Sequence, residues 1–260
     1  MDTIPELTPH LRRLRLSGVL ETLEARNRQA IAEQVSYLDF LSLLVLDEVE
    51  RRNMRQLEGR LKRAGCASAM TLEGFDFAFN PGIRRHAVLE LATGRFIERK
   101  ENVFLIGPSG VGKTHLASAL AHAACRRGFE VVFHKTSHLI DHLQQGRADG
   151  TWGTRVAACL KPDLLILDDW GLKPFGRPAA DDLYEIICER YEKGSLILTS
   201  NRALEEWAEL FGNALLASAA LDRMVHHAHV LTITGRSYRA RMVEKAAPLT
   251  GGLQEEVRKT

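Results

Sequence analysis

The stretch Gly107 to Thr114, GPSGVGKT, fits G-x-x-x-x-G-K-[ST], with a short apolar run of β propensity before it, Asn102 to Ile106, and an apolar-periodic helix pattern directly after. Gly107, Gly110 and Gly112 carry no Cβ, so the backbone can turn tightly and bring its N–H groups up to an anionic phosphate chain. A helix starting near Gly112 adds its unpaired N–H groups, with a macrodipole of about +0.5 charge at the same spot. Pro108, Ser109 and Val111 complete the expected cradle. Lys113 is expected to reach the β and γ phosphates of ATP, and the Thr114 hydroxyl to sit on a magnesium ion.

Beyond the loop, strand and helix patterns alternate, the signature of a parallel sheet covered on both faces. Strands are expected at Glu130 to His134, Leu164 to Leu167, Leu196 to Thr199 and His229 to Ile233, and helices from Thr114, from Ser137 and over Ala179 to Glu192. The polar, glycine-bearing stretch Gln144 to Thr154 reads as a surface loop. The run Leu164 to Asp169 is a buried strand ending in two acids, and such strands deliver their last residues to the ligand crevice. Asp168 is the expected magnesium ligand, and Asp169 the residue that polarises an attacking water. Asn201 ends the next strand, within reach of the γ phosphate by the same edge argument. Asp181 and Asp182 read as helix-start acids that suit the dipole.

Residues 1 to 70 show no strand pattern. Leu7, Leu11, Leu14, Val19, Leu20 and Leu23 recur at helical spacing with Gly18 as a weak break, and Ser36-x-x-Asp39 opens a second, stronger helix. Along its last part Arg51, Arg52, Arg55, Arg60, Lys62 and Arg63 meet a single acid, Glu58. A formal charge of +2 over 260 residues excludes a global basic excess, so contact with DNA phosphates is expected of this local patch. Residues 71 to 101 read as a connector in which Phe75, Phe77 and Phe79 are expected in the core and Ile83 to Phe96 as one helix. The four cysteines form no C-x-x-C pair, and His226, His227 and His229 lack a partner at ligand spacing, so a structural role is expected of the histidines. The chain lacks a signal layout or an apolar run of membrane length, which points to a soluble cytoplasmic protein with no membrane partner.

The combination GPSGVGKTHLASAL, LLILDDWGL, LILTSNR, ALDRMVHHAHV and GRSYR resembles the IstB family, AAA+ ATPases encoded beside a transposase in bacterial insertion sequences and related to DnaC-type helicase loaders and DnaA-type initiators. The resemblance extends through the helical N-terminal part. It implies an AAA+ core over residues 102–240, a DNA- or partner-contacting helical domain over 1–70, and a C-terminal tail over 241–260 in place of a full lid domain. It further implies a homo-oligomer with ATP between subunits, in which Arg223 is the arginine finger of the neighbour's site and Arg239 the second sensor. Duplex DNA, held largely without sequence preference, and a cognate transposase are the implied partners, and Lys135 falls in the region that faces DNA in the loader and initiator relatives, which implies a phosphate contact there. Asp169 stands where most AAA+ ATPases carry Glu, a shorter reach that fits slow hydrolysis. A DnaC-like helicase loader shares every nucleotide motif and is the alternative function. A small-molecule phosphotransferase is disfavoured by Asn201 and by the strand inserted between loop and acids.

Overall fold

The computed structural model describes residues 4–67, 69–238 and 240, and the chain divides into two compact units after Lys62. In the first unit α1 (Ile4–Arg13) and α2 (Ser17–Glu33) precede α3 (Tyr37–Ala64), which runs on past the division. Its small core is Val19, Leu23 and Leu44, with Leu11, Leu16 and Phe40 packed on it. Ser36 caps α3, its Oγ accepting from the Asp39 N–H at 3.2 Å and donating to the Asp39 carboxylate at 2.6 Å. Gly18 is not the break; the chain turns at Arg15, at positive φ, and Gly18 lies inside α2. There a Cβ would stand 2.7 Å from the Glu48 Cα, so glycine serves the close approach of α2 to α3.

The second unit is a five-stranded parallel sheet of order β2-β3-β4-β1-β5, built from β1 (Asn102–Ile106), β2 (Val131–Lys135), β3 (Leu164–Trp170), β4 (Ser195–Ser200) and β5 (Ala228–Thr232). Every residue of β1 and β4 is buried, so helices cover both faces there and the strands read as unbroken apolar runs. The helices are α4 (Arg85–Leu91), α5 (Arg95–Glu98), α6 (Lys113–Arg126), α7 (Thr136–Asp149), α8 (Trp152–Leu160), α9 (Arg177–Arg190), α10 (Trp207–Leu210) and α11 (Ala214–Val225). The expected parallel α/β architecture, with a helical N-terminal part, is the one observed. Among the described residues no helix is long and apolar enough to cross a membrane.

Several local expectations give way to packing. Gln144 to Thr154 is not a loop but the end of α7 and the start of α8, turned at Gly150 and fastened by Arg155, which donates to the His142 carbonyl and pairs with Asp149 at 2.6 Å. Ile83 to Phe96 is two short helices, parted at Gly94. Asp182 is no dipole partner in a first turn, since α9 already starts at Arg177. It is 1% exposed, pairs with Arg147 and accepts from the Trp152 indole at 2.9 Å, joining α7, α8 and α9. Phe75, Phe77 and Phe79 are only half-buried and do not enter the sheet's core.

Candidate functional site

β1, β3 and β4 are neighbours and parallel, so their carboxyl ends open together at one edge of the sheet. The loop after β1 is pinned there: the Gly107 N–H donates to the Ser200 carbonyl at 3.1 Å, and the Tyr238 N–H to the Gly110 carbonyl at 2.9 Å. A Cβ on Gly107 would lie 2.0 Å from the Ile233 carbonyl oxygen, and one on Gly110, at φ 84, 2.1 Å from Ser237 Oγ. The segment after β5 therefore lies against the loop, and only glycine lets it come so close.

Lys113 opens α6 and is 6% exposed. Its ammonium donates to the carbonyls of Gly107 and Pro108 at 2.7 and 2.8 Å and to Asn201 Oδ1 at 2.6 Å. Thr114 Oγ1 donates to the Asp168 carboxylate at 2.9 Å. Thr199 on β4 donates to the same carboxylate at 2.5 Å, and the Thr136 hydroxyl to the Asp168 main-chain carbonyl at 2.8 Å. Burial pushes the Asp168 carboxyl above its ordinary range; the Thr199 and Thr114 hydroxyls oppose this and the charge of Asp169 adds to it. A hydroxyl beside a carboxylate is a hard oxygen donor set, the kind Mg2+ takes, so Thr114 and Asp168 fit that ion.

The register of β3 on β4 shifts between Leu167 and Trp170. Asp169 sits in that irregularity with φ 60, unusual for a residue other than glycine, and its N–H donates to Thr199 Oγ1 at 2.9 Å. This kink turns Asp169 toward a cleft of about 340 Å³ whose wall includes the loop, Asn201, Phe75, Phe79 and Tyr238. Phe79 and Tyr238 meet edge to face at 5.1 Å, and Phe75 meets His115 likewise at 5.1 Å. The aromatic wall corrects the expectation of core phenylalanines. The one signal for it was their alternation just ahead of the Pro81-Gly82 turn, which by itself points as well to a core.

The structure thus brings Lys113, Thr114, Asp168, Asp169 and Asn201 together. Arg223 is not among them: it lies in the last turn of α11, donating to the Ala219 carbonyl at 2.8 Å, beside the opposite edge of the sheet. Arg239 lies outside the described residues. Lys135 closes β2 as the register partner of Asp168. Glu58 is not the only acid opposing the basic patch, because Glu21 and Glu130 reach it from far along the sequence and Glu48 stands one turn earlier on α3. Arg51 pairs with Glu21, Arg52 with Glu48 at 2.7 Å, and Arg63 with Glu130 at 2.9 Å. Arg55, Arg60 and Lys62 complete that stretch of α3.

A phosphate loop after β1, acids closing β3 and a polar residue after β4 define a P-loop domain of the AAA+ class. The model of IstB-like ATP binding proteins matches residues 9–246, and the chain belongs to that family. It is 44% identical to an insertion-sequence ATP-binding protein of Mycobacterium tuberculosis, over 91% of this chain and 95% of that one. With the insertion-sequence ATP-binding protein of Pseudomonas aeruginosa it shares 41% identity over 94% and 92% of the two chains. Among solved structures, DnaI is similar in fold at 23% identity and a TM-score of 0.54, over 63% of this chain and 90% of that one. AMPPCP-bound DnaA from Aquifex aeolicus gives 23% and 0.54, over 70% and 56%.

Proposed function

We propose that the chain is an ATPase that assembles on duplex DNA and hands that DNA to the transposase of its insertion sequence. The observation that carries the ATPase reading is the convergence of Lys113, Thr114, Asp168, Asp169 and Asn201 at one sheet edge. Lys113 exchanges its carbonyl partners for the β and γ phosphates, and Asn201, already on that ammonium, moves with it onto the γ phosphate. Thr114 and Asp168 hold the magnesium ion, which neutralises phosphate charge when bound. Asp169 accepts a proton from the attacking water, and Phe75, Phe79 and Tyr238 offer their faces and edges to the base. Arg223, remote from this cleft in its own chain, acts on the nucleotide of a second copy. The near full-length relatives named for insertion sequences favour the transposition reading over helicase loading.

The test compares wild type with Lys113→Ala, Asp169→Asn and Arg223→Ala for binding of a fluorescent ATP analogue, hydrolysis, and mass-resolved assembly on a short duplex. Lys113→Ala is expected to lose binding, whereas Asp169→Asn keeps it and loses hydrolysis. Arg223→Ala keeps binding and loses about 10³-fold or more of the rate. Unchanged hydrolysis by Asp169→Asn would remove that residue from the mechanism. A wild type that hydrolyses as a monomer would remove the shared site.

A further inference from the structure

A cavity of about 270 Å³ opens at the other edge of the sheet, where β1 and β4 begin, with Asn102 and Leu196 among its walls. Arg99, Lys100, Arg190 and Arg223 line it, against one acid, Glu192. Arg190 is committed to the fold: it is 1% exposed, and its two Nη atoms donate to the carbonyls of Cys159, Leu160, Pro162, Asp163 and Ser195. Burial brings its pKa down to about 10, which leaves it charged. Among the described residues none of Arg99, Lys100 and Arg223 has a carboxylate within ion-pair distance. The carbonyl ends of α5, α9 and α11 reach this edge and attract cations, while Arg190 is taken up by carbonyls at the end of α8, in the segment before β3 and at the start of β4, and Arg223 donates to the Ala219 carbonyl of its own helix. The rim is set by backbone, since Lys100, Glu192 and His227 each turn the chain at positive φ where a helix passes toward its strand.

The excess of cations calls for a multiply charged anion. The nucleotide cradle of the same chain does not supply it, because the two sites lie at opposite ends of β1, about 16 Å apart for a strand of that length. We propose that this cavity receives the triphosphate of a nucleotide held by a second copy of the chain, with Arg99 and Lys100 joining Arg223 as its contacts. The proposal rests on the reading of a site shared between copies, and adds to it two cations and the cavity that presents all three.

Complementation tests it. The double variant Arg99→Ala/Lys100→Ala keeps its own phosphate loop, and Lys113→Ala keeps the cavity. The double variant is expected to bind the fluorescent ATP analogue like wild type while hydrolysing ATP about tenfold or more slowly. Lys113→Ala alone is inactive, and an equimolar mixture recovers several-fold over the two measured separately. Wild-type hydrolysis by the double variant overturns the proposal. So does a mixture that fails to recover while Arg223→Ala mixed with Lys113→Ala does recover, and in that case the shared site itself stands. If neither mixture recovers and the wild-type rate per chain is independent of concentration, the shared site falls. Loss of duplex binding with hydrolysis intact assigns the cavity to DNA phosphates and also overturns the proposal. Should the alanine pair lose analogue binding, Arg99→Gln/Lys100→Gln takes its place, because it removes both charges and keeps the side-chain stems.

Discussion

Thr199 Oγ1 is bonded to both acids of the site: it donates to the Asp168 carboxylate at 2.5 Å and accepts from the Asp169 N–H at 2.9 Å. One hydroxyl thus orients the Asp168 carboxylate, the proposed magnesium ligand, and secures the kink that turns Asp169 to the cleft. Thr199→Val keeps the shape and removes both bonds, so hydrolysis is expected to fall about 10- to 100-fold while analogue affinity stays near wild type. Thr199→Ser, which restores the hydroxyl, should recover most of the rate. Equal rates for the valine and serine forms would show that β4 packing alone holds the acids. Lys113, Thr114, Asp168 and Asn201 were legible in sequence because motif spacing and strand ends fix where they go. Thr199 was not, since inside an apolar strand its hydroxyl gives no periodic signal. The place of Phe75 and Phe79 in the cleft wall was hidden too, because an aromatic side chain reads the same for a core as for a cleft wall until the fold supplies its neighbours.

At the scale of elements, the pairing of α2 with α3 reverses a propensity rule. Alanine in place of a helical glycine ordinarily adds about 0.5–1 kcal/mol of stability. Gly18→Ala would set its Cβ against the Glu48 Cα and, at 2.8 Å, the Asp47 carbonyl oxygen, both backbone. The substitution is therefore expected to destabilise by about 1–3 kcal/mol, measured by thermal melting of the full chain. A raised melting temperature would mean that α3 shifts freely. The same contact carries a pH dependence. The Arg26 guanidinium, at 2.8 and 2.9 Å, and then Thr22 hold the Asp47 carboxyl down to about 2. Burial pushes Glu48 up, but Arg52 and the N–H groups of Gly18 and Val19 outweigh it and leave the carboxyl lowered. A lowered carboxyl contributes stability above its unfolded value, and that stability is lost as pH falls toward the folded one. The melting-temperature gap between wild type and Asp47→Asn should accordingly shrink from about pH 4 down to 2. A gap that is constant over that window would show the pair contributes no ionic stabilisation. The second helix start was legible from Ser36 and Asp39, but the carboxylate of Glu48 on the first turn of α2 was not, because its partners lie 29 and 30 residues away.

For the whole molecule, the parallel sense of the sheet followed from alternating apolar runs and helix patterns, which local periodicity records well, whereas the strand order did not, because periodicity does not say which strands are neighbours. The charge distribution did not follow in that way, because two of the ion pairs on this stretch, those to Glu21 and Glu130, join residues that sequence separates. Of the cations expected on DNA, Arg51, Arg52 and Arg63 are engaged by Glu21, Glu48 and Glu130, so the patch as counted along the helix overstates what faces phosphate. Each phosphate a duplex-binding cation neutralises adds about 0.9 to the slope of log affinity against log salt. Arg55→Ala and Lys62→Ala should each weaken duplex binding and lower that slope by about 1. Arg63→Ala, already partnered at 2.9 Å, should change the slope little, because a guanidinium neutralised by Glu130 neutralises no phosphate and so releases no cation condensed on the DNA. The measurement is duplex affinity by fluorescence anisotropy across a salt series for the three single variants. Equal losses of slope for all three would mean that DNA outcompetes Glu130 and that the whole basic stretch binds as one surface. No change for Arg55→Ala and Lys62→Ala would move the DNA contacts off α3 altogether, toward the sheet edge where Lys135 stands beside Asp168.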